Sequence, residues 1–157
     1  MTIRGNRAGN RAVTTYSSLD IETGIAGASP QRLVLMLYDG ALKAIFDAKV
    51  AMARAEISAK GSAISRAIAI IDDGLRPALD AKAGGEIAAN LMALYEYISS
   101  RLFYANLKND PHSLDEAARL LMELRGAWET LDERSKAAEQ MPVPPPQQRA
   151  SVSFGKA

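Results

Sequence analysis

The sequence predicts an all-α protein, an antiparallel four-helix bundle with a flexible N-terminal arm and a Pro-rich C-terminal tail. Three observations carry this reading. Four stretches repeat apolar residues at helical spacing, short turn signals separate them, and no stretch alternates with the period of a strand.

The first helix is expected over 30 to about 56. Ser29 before Pro30 is a start signal, with the hydroxyl as N-cap and proline at a position whose N–H would have no helical partner. At about 100° per residue, Leu33, Leu37, Ala41, Ala44, Ile45 and Ala48 share one face, while Leu35, Leu42 and Phe46 form a second stripe. A surface helix needs an apolar arc of about 100°, so this helix is either central in the bundle or covered by something else.

The second helix, about 61 to 81, places Ile64, Ile68, Ile71, Leu75 and Leu79 on one stripe, with Pro77 expected to kink its last turn. Gly84-Gly85 breaks the chain. The third helix, about 86 to 108, aligns Ile87, Leu91, Leu94, Ile98, Leu102 and Ala105. Asn109 and Asp110 before Pro111 form a turn, and Asp110 or Ser113 caps the fourth helix, about 112 to 138, with Ser113 and Glu116 as a candidate capping box. Its inner side carries Leu114, Ala118, Leu121, Leu124, Trp128 and Leu131. Leu37, Ile45, Ile68, Ile87, Leu91 and Ile98 are the expected core.

Outside the bundle, residues 1–15 read as a flexible basic arm, 16–138 as the folded domain and 139–157 as a disordered Pro-rich tail. Tyr16, Leu19 and Ile21 are the apolar exception near the end of the arm. The 157 residues suffice for one unstapled core. The absence of cysteine excludes disulfides and thiolate metal sites. No apolar run approaches the roughly 20 residues of a membrane span, and the N-terminus lacks a signal-peptide core, so a soluble chain with no membrane insertion is expected.

The net charge of +1 is unevenly spread. All 18 acidic residues lie between Asp20 and Glu139, whereas Arg4, Arg7, Arg11, Arg149 and Lys156 lie outside that stretch. A net acidic body argues against a nucleic-acid groove, which needs clustered cations.

Catalytic sets are missing from the pattern. His112 is the sole histidine and sits beside Pro111 in a turn, so a pair of Glu-x-x-His motifs for a bundle metal site cannot be built. Asp72-Asp73 point about 100° apart on a helix and read as a solvated face. Ser17-Ser18 and Ser99-Ser100 lack a base placed by sequence, and Gly84-Gly85 lacks the Lys-Ser/Thr of a phosphate loop. No enzyme activity, cofactor or metal is expected. The remaining signal is apolar surplus: Leu35, Leu42 and Phe46 are either core or partner contacts. Tyr95 and Phe103 read as core edges or as further contacts.

Several blocks recur in a known order. Tyr16, Ile21-Glu22-Thr23, Ala28-Ser29-Pro30-Gln31-Arg32-Leu33, Met36-Leu37-Tyr38-Asp39-Gly40-Ala41, Gly84-Gly85-Glu86-Ile87-Ala88-Ala89-Asn90-Leu91, Leu94-Tyr95-Glu96-Tyr97 and Ala105-Asn106-Leu107-Lys108-Asn109-Asp110 resemble the flagellar secretion chaperone FliS family over about 16 to 130. The resemblance implies a cytoplasmic helical chaperone that binds the disordered C-terminal segment of flagellin and keeps it from polymerising before export. It also implies delivery to the cytoplasmic part of the flagellar export gate, and a cover over the client surface formed by the segment bearing Tyr16. A regulatory protein is a further partner it allows. The client-binding candidates on this reading are Tyr16, Ile21, Leu35, Leu42, Phe46, Tyr95 and Phe103. One departure is Ser100 before Arg101, where the family often has two basic residues.

Overall fold

The computed structural model describes residues 27, 29–79 and 81–141, with the backbone alone at 81–83. Among them are four helices and no strand: α1 (Pro30–Ala53), α2 (Ile57–Ala69, continued by a π-helical segment Ile70–Leu75), α3 (Ala81–Lys108) and α4 (Pro111–Gln140). Each packs on its two neighbours around a square, α1 on α2, α2 on α3, α3 on α4 and α4 back on α1. Cross-helix bonds set the direction. Ser29 at the start of α1 reaches Asp132 near the end of α4, and Lys49 near the end of α1 pairs with Asp115 near the start of α4. Lys60 at the start of α2 likewise reaches Asn106 and Asn109 at the end of α3. The bundle is therefore antiparallel throughout, as short connections demand.

Local chemistry explains the helix ends. The Ser29 hydroxyl accepts the Arg32 N–H at 3.1 Å and Pro30 opens α1. Asp110 caps α4 by accepting the His112 N–H at 3.1 Å. The Ser113–Glu116 capping box does not form, because Ser113 instead donates to Asp110 and Glu116 takes Arg101 and Tyr97.

The α1–α2 turn differs from the expected boundary at 56. Glu56 N–H donates to Ala51 and Ala55 N–H to Met52, the paired closing bonds of a Schellman turn, which places Ala55 at φ 57°. Glycine is the usual residue there, so alanine gave no stop signal. The same closure ends α3, with Asn109 at φ 53° and Asp110 N–H bonded to Ala105. Here the Lys60 ammonium donates to the Asn106 carbonyl at 3.0 Å and to the Asn109 side chain. That contact holds an amine that is only 5% exposed.

α2 stops earlier than the apolar stripe suggests. Its last turns widen to π geometry, with Arg76 N–H bonded to Ile71, and a turn follows over 76–78. Pro77 has no N–H to extend the ladder, so it terminates the helix rather than kinking it. The π segment still buries Ile70, Ile71 and Leu75 and sets Gly74 against Leu37, where a Cβ would lie 3.1 Å from a leucine methyl.

The core comprises Tyr38, Ala41, Ile45 and Ala48 of α1, Ile64, Ala67, Ile70 and Ile71 of α2, Tyr95, Ile98 and Leu102 of α3, and Leu114, Ala117 and Leu121 of α4. Leu37 and Ile68 pack against it while half-buried. Burying each large apolar side chain contributes about 1.5–3 kcal/mol.

Four inner-face expectations are corrected, one of them Leu131, which is 50% exposed on α4. Leu33 is exposed at the open start of α1. Ile87, expected inside, is 71% exposed, and Leu91 is only half-buried. Gly85 at φ 54°, ψ −126° interrupts the helix just before them, at the end of the bundle where α2 has already stopped.

Replacing Ala55 with glycine should stabilise the bundle by about 0.5–1 kcal/mol, the relief of left-handed strain less the added freedom of the unfolded chain. A rise in the urea midpoint with unchanged slope would show it.

Candidate functional site

α1 lies between two neighbours, and its second stripe is mostly structural. Asp39 accepts Arg125 of α4 at 2.5 Å and Lys49 pairs with Asp115 of α4 at 2.5 Å. Leu35 and Leu42 share that side of the cylinder, one turn before and one after Asp39. Leu35 is 1% exposed, and Leu42 packs half-buried on the core. Phe46 alone breaks out, at 63% exposure. Of the two readings open for Leu35, core or partner contact, the structure places it in the interior, and Tyr95 is fully buried as well. Phe103, by contrast, is 62% exposed on α3. Tyr16 and Ile21 lie outside the described residues.

The described residues form, among other surface features, a larger and a smaller apolar concavity. The larger, about 520 Å³, lies where α2 has ended, between the first turns of α3 and the second half of α4. Leu79, Ile87, Leu91, Leu124, Trp128 and Leu131 line it. Besides Leu79, the other five were read from sequence as inner positions of α3 or α4, and they keep the core stripe while losing the helix that would cover it. A stripe running past a Gly–Gly break and a Pro stop was the available signal. The smaller concavity, about 400 Å³, lies between α1 and α2 around Phe46, Val50, Ala59 and Ala63, with Asp47, Glu56 and Arg66 at its rim.

Behind the larger groove sits a buried polar pair. The Tyr38 and Tyr95 hydroxyls are 2.5 Å apart, with ring centroids 6.5 Å apart at 50°. Burial pushes both phenols up.

The outer α3–α4 face carries a different network. Arg101 donates to Glu116 at 3.0 Å and to Ser113 at 2.6 Å, and its guanidinium lies 4.8 Å from the Tyr104 ring centre. Tyr97 donates to Glu116 at 2.6 Å. That bond raises the Tyr97 phenol and, with Arg101, holds the Glu116 carboxyl below its ordinary range. The Ser113 hydroxyl does the same for Asp110, helped by the His112 N–H. At the departure noted in the sequence, Ser100 donates to the Tyr97 carbonyl and Arg101 carries the ion pair alone.

Among the described residues no group of three or more His, Cys, Asp or Glu could hold a metal ion, and no helix is long and apolar enough to cross a membrane. A helical bundle whose core stripe opens into an uncovered apolar groove has the architecture of helix-in-groove proteins. Comparison with known families makes the class specific. The profile of the flagellar protein FliS matches residues 12–135, and the chain belongs to that family. It is 39% identical over 127 residues to the flagellar secretion chaperone FliS of Salmonella typhimurium, covering 81% of this chain and 94% of that protein. It is 44% identical over 119 residues to the flagellar secretion chaperone FliSB of Pseudomonas aeruginosa, covering 76% and 94%. The FliS of Bacillus subtilis is 34% identical over 115 residues, 73% of this chain and 81% of that protein.

The Glu116 and Asp110 carboxyls are depressed in the folded state, so their contribution is complete above the unfolded carboxylate values, about 4, and is lost as pH falls through the lower folded values. Urea unfolding across an acidic pH series should show stability falling there. Glu116→Gln should flatten that dependence.

Proposed function

We propose that this chain is a cytoplasmic export chaperone that binds the C-terminal segment of flagellin, keeps it from polymerising and supports its delivery to the export gate, without catalysis or cofactor. The observation that carries the reading is the larger groove, where core-type residues of α3 and α4 stand uncovered. Membership in a family of flagellar secretion chaperones supports a flagellar client. An amphipathic helix laid into such a groove completes the stripe and removes its own apolar face from water. Because a disordered client spends several kcal/mol on ordering, a second contact is needed. Phe46 and Phe103 offer exposed aromatic surface for it, and α1 extends for about 36 Å.

The segment from Tyr16 through Ile21 is proposed to cover this surface when no client is bound. Extended, the stretch from Tyr16 to Ser29 reaches about 40 Å. Ser29 itself lies 3.4 Å from Asp132, beside the groove residue Leu131.

Titration calorimetry with a flagellin C-terminal peptide should give saturable one-to-one binding with a large negative heat-capacity change. Absence of binding to the folded protein would refute the function. Phe46→Ala should weaken binding with little loss of stability, whereas Leu35→Ala should cost about 2–5 kcal/mol of folding stability.

Displacement of the covering segment has its own signature. Client should speed hydrogen exchange at residues 16–21, and unchanged or slower exchange would rule displacement out.

A further inference from the structure

We propose that Asp132 is the polar anchor for this chain's own N-terminal segment at the larger groove, its carboxylate accepting the Tyr16 hydroxyl while the Tyr16 ring lies on the apolar lining. The inference deepens the covering role proposed for residues 16–21 and rests on that reading. Asp132 is the last buried residue of α4. It follows Leu114, Ala117, Leu121 and Trp128 at helical spacing, so it faces inward where an apolar residue would continue the stripe. Only 3% of it is exposed, although Leu131 and Glu133 on either side are both exposed. A carboxylate offers about four lone-pair sites, and burying it without partners is costly. Among the described residues its oxygens meet the Ser29 hydroxyl at 3.4 Å and the Lys136 ammonium at 3.5 Å. Both contacts are longer than ordinary charge-assisted bonds. The Ser29 hydroxyl is also the cap that accepts the Arg32 N–H, and the Lys136 side chain is 60% exposed. The carboxylate therefore has room for a further donor in a buried position.

The course of the chain favours the N-terminal segment as that donor. Ser29, where the segment joins α1, is itself the residue that meets Asp132, so Tyr16 is tethered within about 40 Å of the carboxylate. Thr14, Thr15, Tyr16, Ser17 and Ser18 all carry hydroxyl donors, whereas Asp20 and Glu22 would repel a carboxylate. Of these hydroxyl residues only tyrosine joins its donor to a large apolar ring. Leu131 precedes Asp132 directly and Trp128 precedes it by one turn, and both line the groove. Ring and hydroxyl thus meet apolar and acidic surface side by side.

The experiment measures amide hydrogen exchange of the client-free full chain in its native form, as Tyr16→Phe, as Asp132→Ala and with both changes combined. In the native protein residues 16–21 should exchange more slowly than in a free peptide of the same sequence. Each single variant should speed exchange there about tenfold, the effect of losing one hydrogen bond to a charged group. The combined variant should add nothing further, because the same bond is lost either way. Affinity for a synthetic flagellin C-terminal peptide, read by titration calorimetry, should rise by a similar factor as the competing cover weakens. Native exchange at 16–21 in either single variant, or additive effects in the combined one, would overturn the inference. Weaker peptide binding by Asp132→Ala would overturn it too, since the carboxylate would then be a contact for the client. If Asp132→Ala does not fold, Asp132→Asn, equal in size and uncharged, takes its place with the same direction expected. If residues 16–21 of the native protein exchange at the free-peptide rate, the covering role and the inference fall together. If the native protein does not bind the peptide, the proposed function fails, and the exchange comparison still decides whether Asp132 holds the segment.

Discussion

Burial of α1 on two sides is the constraint from which the rest of the bundle follows. One stripe, through Tyr38, Ala41, Ile45 and Ala48, enters the common core. The other, through Leu35 and Leu42, lies on the side where Asp39 and Lys49 tie α1 to α4. A helix with two apolar stripes must have a neighbour on each, so α2 and α4 both pack on α1 and α3 closes the square opposite. The small residues Ala41, Ala44, Ala48 and Ala51, all buried, let those neighbours approach closely. Gly74 does the same from α2, where it accepts Leu37 with no room for a side chain.

The groove follows from the unequal lengths of the helices. Pro77 ends α2 while the apolar positions of α3 and α4 continue toward Ile87 and Leu131. The unequal ends leave a trough between α3 and α4, closed by Ala78 and Leu79 of the segment after α2, in place of a four-sided core. Its apolar lining is ordinary core composition left uncovered where α2 stops. At the opposite end the bundle is closed tightly by Lys60, Asn109 and the Asp110 cap. One end is thus fixed by hydrogen bonds and the other keeps an apolar groove open.

The outer face of α3 and α4 shows how a polar cluster can be structural without being a site. Every charged member has a partner: Arg101 with Glu116, Glu116 with Tyr97, and Asp110 with Ser113. These bonds pin the α3–α4 hairpin in register. Their depressed carboxyls reflect that fixation.

The all-α bundle, the start signals at Ser29-Pro30 and Asp110-Pro111, and most of the core were legible from sequence, because helical periodicity and capping chemistry act within a few residues. The family was legible as well, from blocks of residues in order. The end of α1 was not, since Ala55 adopts a left-handed conformation that only the surrounding fold imposes. Nor was the sorting of apolar residues into core and surface: Leu35 and Tyr95 went inside, Ile87 went outside, and Phe46 escaped the seam that holds Leu42. Periodicity states which residues share a helix face. Which faces meet another helix depends on where each neighbour stops, and that is decided only when the four helices are packed together.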